Sequence, residues 1–168
     1  TEREYYPSGP SMGYLHKTRV VHAGGDIVTT FEYDIRGNVT RVIDPRGASS
    51  STTYNDMNLP VEVIAARADY VTRFEYDLNG NVVATEIDDV RDDLDGGVFS
   101  DGVIRTDVVY NTNNLPVSTT TDVTASHRIT STVTYDLADL PVTRTSPNGV
   151  VTQTSFDSSP CRPTTSRF

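Results

Sequence analysis

The chain has 168 residues, of which 36% are hydrophobic and none is Trp; the apolar positions are filled mainly by Val and Tyr, with Thr and Ser between them. That is the composition of half-buried β-strands, and it argues against a thick hydrophobic core. A formal net charge of -9, with Lys17 the only lysine and the arginines dispersed, excludes the clustered basic surface through which proteins bind nucleic acid or anionic membranes.

The opening Thr1-Glu2-Arg3-Glu4 reads as the start of a mature product or an excerpt. Glu4-Tyr5-Tyr6-Pro7-Ser8-Gly9 is a weak first copy of a pattern that sharpens later, and Leu15 to Val21 reads as a strand followed by a turn at Ala23-Gly24-Gly25-Asp26. From Ile27 to Tyr33 the alternation places Thr29, Phe31 and Tyr33 on one face and Thr30 and Glu32 on the other, the period of a sheet with one wet side. The arginines are expected at solvent-facing strand positions opposite acids.

At Asp34-Ile35-Arg36-Gly37 the chain is expected to reverse. Asp at the first position of a type I turn accepts backbone protons, and the fourth position requires a left-handed backbone. The same punctuation returns along the chain. The first position holds Asp34, Asn55, Asp77, Asn111, Asp136 and Asp157, and the fourth holds Gly37, Asn58, Gly80, Asn114 and Asp139, the residue types that best tolerate positive φ. An aromatic precedes each first position: Tyr33, Tyr54, Tyr76, Tyr110, Tyr135 and Phe156. Its role is structural, packing over the base of a hairpin and onto the neighbouring one. The reading is a series of hairpins, each closed by a type I turn and a left-handed bulge residue.

Return strands are expected over Val39 to Ile43, Val61 to Ala65, Val82 to Ile87, Val117 to Val123 and Val142 to Thr145. Three are introduced by Leu-Pro-Val, at Leu59-Pro60-Val61, Leu115-Pro116-Val117 and Leu140-Pro141-Val142, so the proline must sit where no ladder donor is needed. Second turns at the far ends are signalled by Asp44-Pro45-Arg46-Gly47 and Ser146-Pro147-Asn148-Gly149. About seven units result, beginning near Tyr5, Tyr33, Tyr54, Tyr76, Tyr110, Tyr135 and Phe156, as a single array over 1–168.

The acidic insertion 88–102 does not fit an EF-hand: with Gly96 at the sixth position, Arg91 takes the first ligand position and Gly102 the place of the bidentate Glu. A solvated acidic loop is the preferred reading, with a looser calcium site of Asp93, Asp95 and Asp101 as its alternative. His16, His22 and His127 have no metal-ligand spacing, Cys161 has no partner cysteine, and no nucleophile, phosphate or dinucleotide motif occurs. No cofactor and no enzymatic activity are expected. Asn38-Val39-Thr40 fits a glycosylation sequon, but the turn already accounts for Asn38.

Tyr33-Asp34-x-x-Gly37-Asn38-Val39 followed by Asp44-Pro45-x-Gly47 resembles the YD repeat of the RHS family, and Tyr76-Asp77-x-x-Gly80-Asn81-Val82 matches it as well. The resemblance extends over nearly the whole chain, with variant copies that carry Asn or Asp and then Leu-Pro-Val in place of Gly-Asn-Val. It implies an all-β fold of tandem antiparallel hairpins in a continuous spiralling sheet. In bacterial RHS toxins, in the B and C subunits of insecticidal toxin complexes and in teneurins, such a sheet forms a hollow shell that encloses or presents another domain. Self-cleavage near the end of RHS shells is not carried over, because Asp44-Pro45-Arg46-Gly47 lies early, inside an ordinary repeat. A chain of this size is expected to form only a strip of such a sheet. The implied partners are further YD repeats or identical subunits joined through open strand edges, and an enclosed toxin domain, in a secreted or surface-exposed bacterial protein. The alternative is a self-assembling extracellular fibre or adhesin.

Overall fold

The computed structural model describes residues 1–66, 70–89, 103–124, 127–156 and 163–167, with residues 89 and 163–167 followed by backbone alone. Among them the fold is all-β, with fourteen strands arranged so that strand order follows sequence order. No described helix is long and apolar enough to cross a membrane. Two units divide the chain, Thr1–Phe74 with Ile87–Arg91, and Glu75–Glu86 with Asp92–Phe168.

The first unit begins with β1 (Glu2–Tyr5), β2 (Leu15–Val20), β3 (Ile27–Tyr33), β4 (Val39–Ile43), β5 (Ser49–Tyr54) and β6 (Pro60–Ile64), and takes in most of β7 (Tyr70–Tyr76). Each pairs antiparallel with the next. Residues directly opposite share a face, so the register sorts the side chains. Glu32 lies opposite Arg41 and Glu62 opposite Arg73, while Phe31 lies opposite Val42 and Thr52 opposite Val63. One face is therefore charged and the other aromatic and aliphatic.

The second unit takes in most of β8 (Val82–Asp89), then β9 (Val103–Tyr110), β10 (Pro116–Thr124), β11 (His127–Tyr135), β12 (Pro141–Thr145), β13 (Val151–Phe156) and β14 (Pro163–Arg167). From β9 onward every strand again pairs antiparallel with its successor. The strands β8 to β11 have eight or nine residues each, longer than any strand of the first unit.

Alternation along Ile27–Tyr33 implies one wet side, yet Val28 to Tyr33 are all half-buried, whichever way they point. Burial among the described residues is shallow on both sides: Ala84, at 2% exposure, is the only buried hydrophobic residue there. Full burial of a Val or Leu is worth roughly 1.5–3 kcal/mol, and half-buried side chains recover only part of it. Strand ladders, cross-strand pairs and turn chemistry must hold more of this fold than they would in a sandwich.

Two boundaries differ from the sequence reading. The Leu-Pro-Val return strands begin at Pro60, Pro116 and Pro141 rather than at the following valine. Each proline sits opposite a tyrosine, and the register then shifts by one residue, which places the missing donor at a bulge. β8 runs through Asp88 and Asp89, past the Ile87 expected as its end, and residues 90–102 of the acidic insertion lie outside the described residues.

Candidate functional site

The repeated feature is the turn and what surrounds it. Asp34 Oδ1 accepts the backbone N–H of Arg36 and Asn38, each at 2.9 Å, and its Oδ2 accepts the Asn38 side-chain amide at 2.9 Å. Asn55, Asp77, Asn111 and Asp136 make the same pair of backbone bonds two and four residues ahead. The fourth positions hold left-handed φ values: 89° at Gly37, 60° at Asn58, 84° at Gly80, 60° at Asn114 and 61° at Asp139. The far turn at Asp44 repeats the arrangement, with Gly47 at 84°. The Asn38 side-chain amide keeps Asp34 below the usual carboxylate range, helped by backbone donors, and Asn81 does the same for Asp77.

The aromatic before each turn links one hairpin to the previous one. Tyr33 Oη donates to the Leu15 carbonyl at 2.9 Å, Tyr54 to Val39 at 2.9 Å, Tyr110 to Val82 at 3.1 Å and Tyr135 to Pro116 at 2.9 Å. Every acceptor is the first residue of a strand leaving the preceding turn, and Leu15, Val39 and Pro116 sit next to a register shift. Bulges leave ladder groups unpaired, and the tyrosine hydroxyl supplies a donor there. Burial raises the pKa of Tyr33 and Tyr76 above the ordinary phenol value. Phe156 ends β13 and has no hydroxyl for such a bond; Asp157 lies outside the described residues, as do Asp93, Asp95, Asp101 and Cys161.

The first copy is built differently. Tyr5 pairs with Leu15 at a register shift, as the later tyrosines do, but the connection from Tyr6 to Tyr14 is longer. Tyr6 donates from its hydroxyl to the Phe31 carbonyl at 2.7 Å and stacks on His16, with ring centroids 4.2 Å apart. Tyr14 lies against Tyr33 at 5.0 Å. His16 faces Glu4, whereas His22 Nδ1 accepts the Gly24 N–H in a turn, so the two histidines do not converge.

The charged face carries ion pairs in both units. In the first, Arg41 approaches Glu32 at 3.6 Å, and Arg73 meets Glu62 at 3.1 Å and Asp88 at 3.6 Å. In the second, Arg105 reaches Glu75 at 2.8 Å, Glu86 at 2.7 Å and Asp107 at 2.8 Å, and Arg128 joins Asp107 to Asp122. Hydrogen bonds that Arg105 donates to Glu75, Glu86 and Asp107 raise the Arg105 pKa, and the same bond to Glu75 lowers the Glu75 pKa. Burial opposes ionisation of Asp107, but Arg128 and Arg105 outweigh it and leave its pKa lowered. Arg144 departs from the expected pairing, since it lies opposite Val133 and Thr152. The structure thus brings the motif residues together as turn closures and tip contacts. Among the described residues no group of three His, Cys, Asp or Glu side chains is placed to hold a metal ion. The Arg105 and Arg128 cluster was missed as a unit in the sequence; acids and arginines on consecutive long strands were its only signal.

Residues 18–49 match the family described as RHS Repeat. The sequence has no match among curated proteins. The fold is similar to a crystal structure titled TcdB2-TccC3, at 12% identity and a TM-score of 0.39, covering 93% of this chain and 12% of that one. It is also similar to a structure titled Photorhabdus luminescens Tc holotoxin pore, at 12% identity and a TM-score of 0.40, covering 92% of this chain and 11% of that one. The chain therefore spans about a ninth of the length of these solved relatives. Residues 18–49 therefore carry an RHS repeat, and the same tyrosine and turn chemistry recurs on both sides of β7.

Proposed function

We propose that this chain is a structural, non-catalytic segment of a secreted or surface-exposed bacterial protein, and that it builds part of a wall enclosing or presenting a separate toxin domain. The whole of 1–168 serves as one array of about seven units in this reading. The observation that carries it is the repeated tyrosine bond from one hairpin to the carbonyl at the base of the one before, within a chain that bears an RHS repeat. Such bonds tie each unit to its neighbour, which is how a repeat protein extends without a central core. The charges on the strands are neutralised mainly by one another, so they serve pairing between strands more than capture of a charged ligand.

Limited proteolysis of the native full-length protein tests the reading. A wall predicts a non-repeat domain that resists protease while the shell is intact and is cut rapidly once mild denaturant opens it. Equal cleavage rates before and after opening would refute enclosure. Long polymers of short, similar chains would instead establish the fibre.

A further inference from the structure

Three described residues hold a positive φ without being glycine: Asn58, Asn114 and Asp139. All three occupy the fourth position of a turn, where Gly37 and Gly80 sit in the equivalent place. The turn by itself favours glycine, because an L side chain in the left-handed region is strained. A strained position that persists calls for a compensating contact.

Each of the three has one, and it is the same contact. Asn58 Oδ1 accepts the Asn38 amide at 2.9 Å. Asn114 Oδ1 accepts the amides of Asn79 and Asn81, each at 2.9 Å. Asp139 Oδ1 accepts the Asn113 amide at 2.8 Å. The donor always stands at the third or fifth position of the preceding hairpin. The two glycines fit the converse. Before Gly80, the hairpin at Asn55 offers Met57 and Leu59 at those positions, neither of which has an amide. Before Gly37, the longer loop sends Tyr14, whose Oη would lie 2.6 Å from a Cβ at Gly37. Arg36 makes a related contact, reaching the Asp56 carbonyl at 3.0 Å and its carboxylate at 2.9 Å.

We propose that the turn tips carry a pairing code. A hairpin with Asn at its third or fifth position selects, as its C-terminal neighbour, a hairpin with Asn or Asp at its fourth; the hairpin at Asn55, which lacks such an amide, is followed by Gly80. These carboxamides choose the neighbour; the first-position Asp or Asn forms the turn. The code holds whatever the array encloses, and it states the chemistry that any adjoining hairpin must present at its tip: a side-chain oxygen held out by a left-handed backbone.

The test uses the full chain labelled with 15N and follows side-chain amide hydrogen exchange. The Asn113 carboxamide is expected to exchange several-fold more slowly than a free amide, to reach the free rate in Asp139→Gly, and to stay slow in Asp139→Asn. The Asn38 carboxamide is the internal control and should not change in either variant. Glycine suits the 61° φ at Asp139, so the turn itself survives the substitution. A double-mutant cycle of Asn113→Ala with Asp139→Gly should show coupling of about fivefold in the local opening equilibrium. Additive effects within about twofold, or an Asn113 exchange rate indifferent to Asp139→Gly, would overturn the code.

Discussion

Gly37 and Gly47 provide a matched pair for testing how the tyrosines and turns combine. Both have a left-handed backbone, at 89° and 84°, but a Cβ at Gly47 meets nothing within 4 Å, whereas one at Gly37 meets Tyr14 Oη at 2.6 Å and Cζ at 3.0 Å. An L residue in the left-handed region costs about 1–2 kcal/mol, and that is the expected cost of Gly47→Ala. Gly37→Ala carries the same cost and must also move Tyr14 off Tyr33, a ring contact at 5.0 Å worth about 0.5–1.5 kcal/mol. The total at Gly37 is about 1.5–3.5 kcal/mol. Urea unfolding followed by the tyrosine near-ultraviolet signal measures both substitutions, and in a Tyr14→Ala background the two costs should become equal. Equal costs in the unmodified chain would refute the reasoning, since Tyr14 would then contribute nothing at Gly37.

Tyr54→Phe is expected to lose about 0.5–1.5 kcal/mol with its bond to the Val39 carbonyl, and Tyr5→Phe, half exposed at 51%, to change stability by less than about 0.5 kcal/mol, both read by urea unfolding. The acids of the second unit predict acid sensitivity with a definite sign. Glu75 and Asp107 have folded pKa values below their ordinary ones, so their stabilisation is complete above those ordinary values, 4.5 and 3.8, and is lost as pH falls through the folded ones. Thermal melts from pH 7 to pH 2 should show this loss, and Arg105→Gln should flatten it while costing about 1 kcal/mol at low salt and less at high salt. Asn55→Ala removes both backbone bonds of its turn and should accelerate exchange at Met57 and Leu59, whereas Asn55→Asp should preserve protection.

The turns were legible because their chemistry is local. An Asp or Asn at the first position binds N–H groups two and four residues ahead, and positive φ three residues on restricts the residue to Gly, Asn or Asp, so both constraints appear within one short window of sequence. The tyrosine was legible as a packing residue but its acceptor was not, because Val39, Val82 and Pro116 lie 15 to 28 residues away, beyond any local pattern. The same distance hid the Arg105 cluster, whose partners Glu75 and Glu86 lie on other strands. Alternation in β3 implied a dry face for a more general reason: the two-residue period says which side chains point together and nothing about whether another layer covers them. The placement of Pro60, Pro116 and Pro141 followed from the missing ladder donor, while the exact start of each strand depended on the register shift beside it.

The account rests on the chain being a stretch of wall in a larger repeat protein. Electron microscopy of the native protein, purified without proteolysis and paired with its native mass, tests this most directly. A hollow, closed particle much heavier than 18.4 kDa is the predicted result. Extended polymers of subunits near that mass, or a stable solitary chain of that mass, would contradict it.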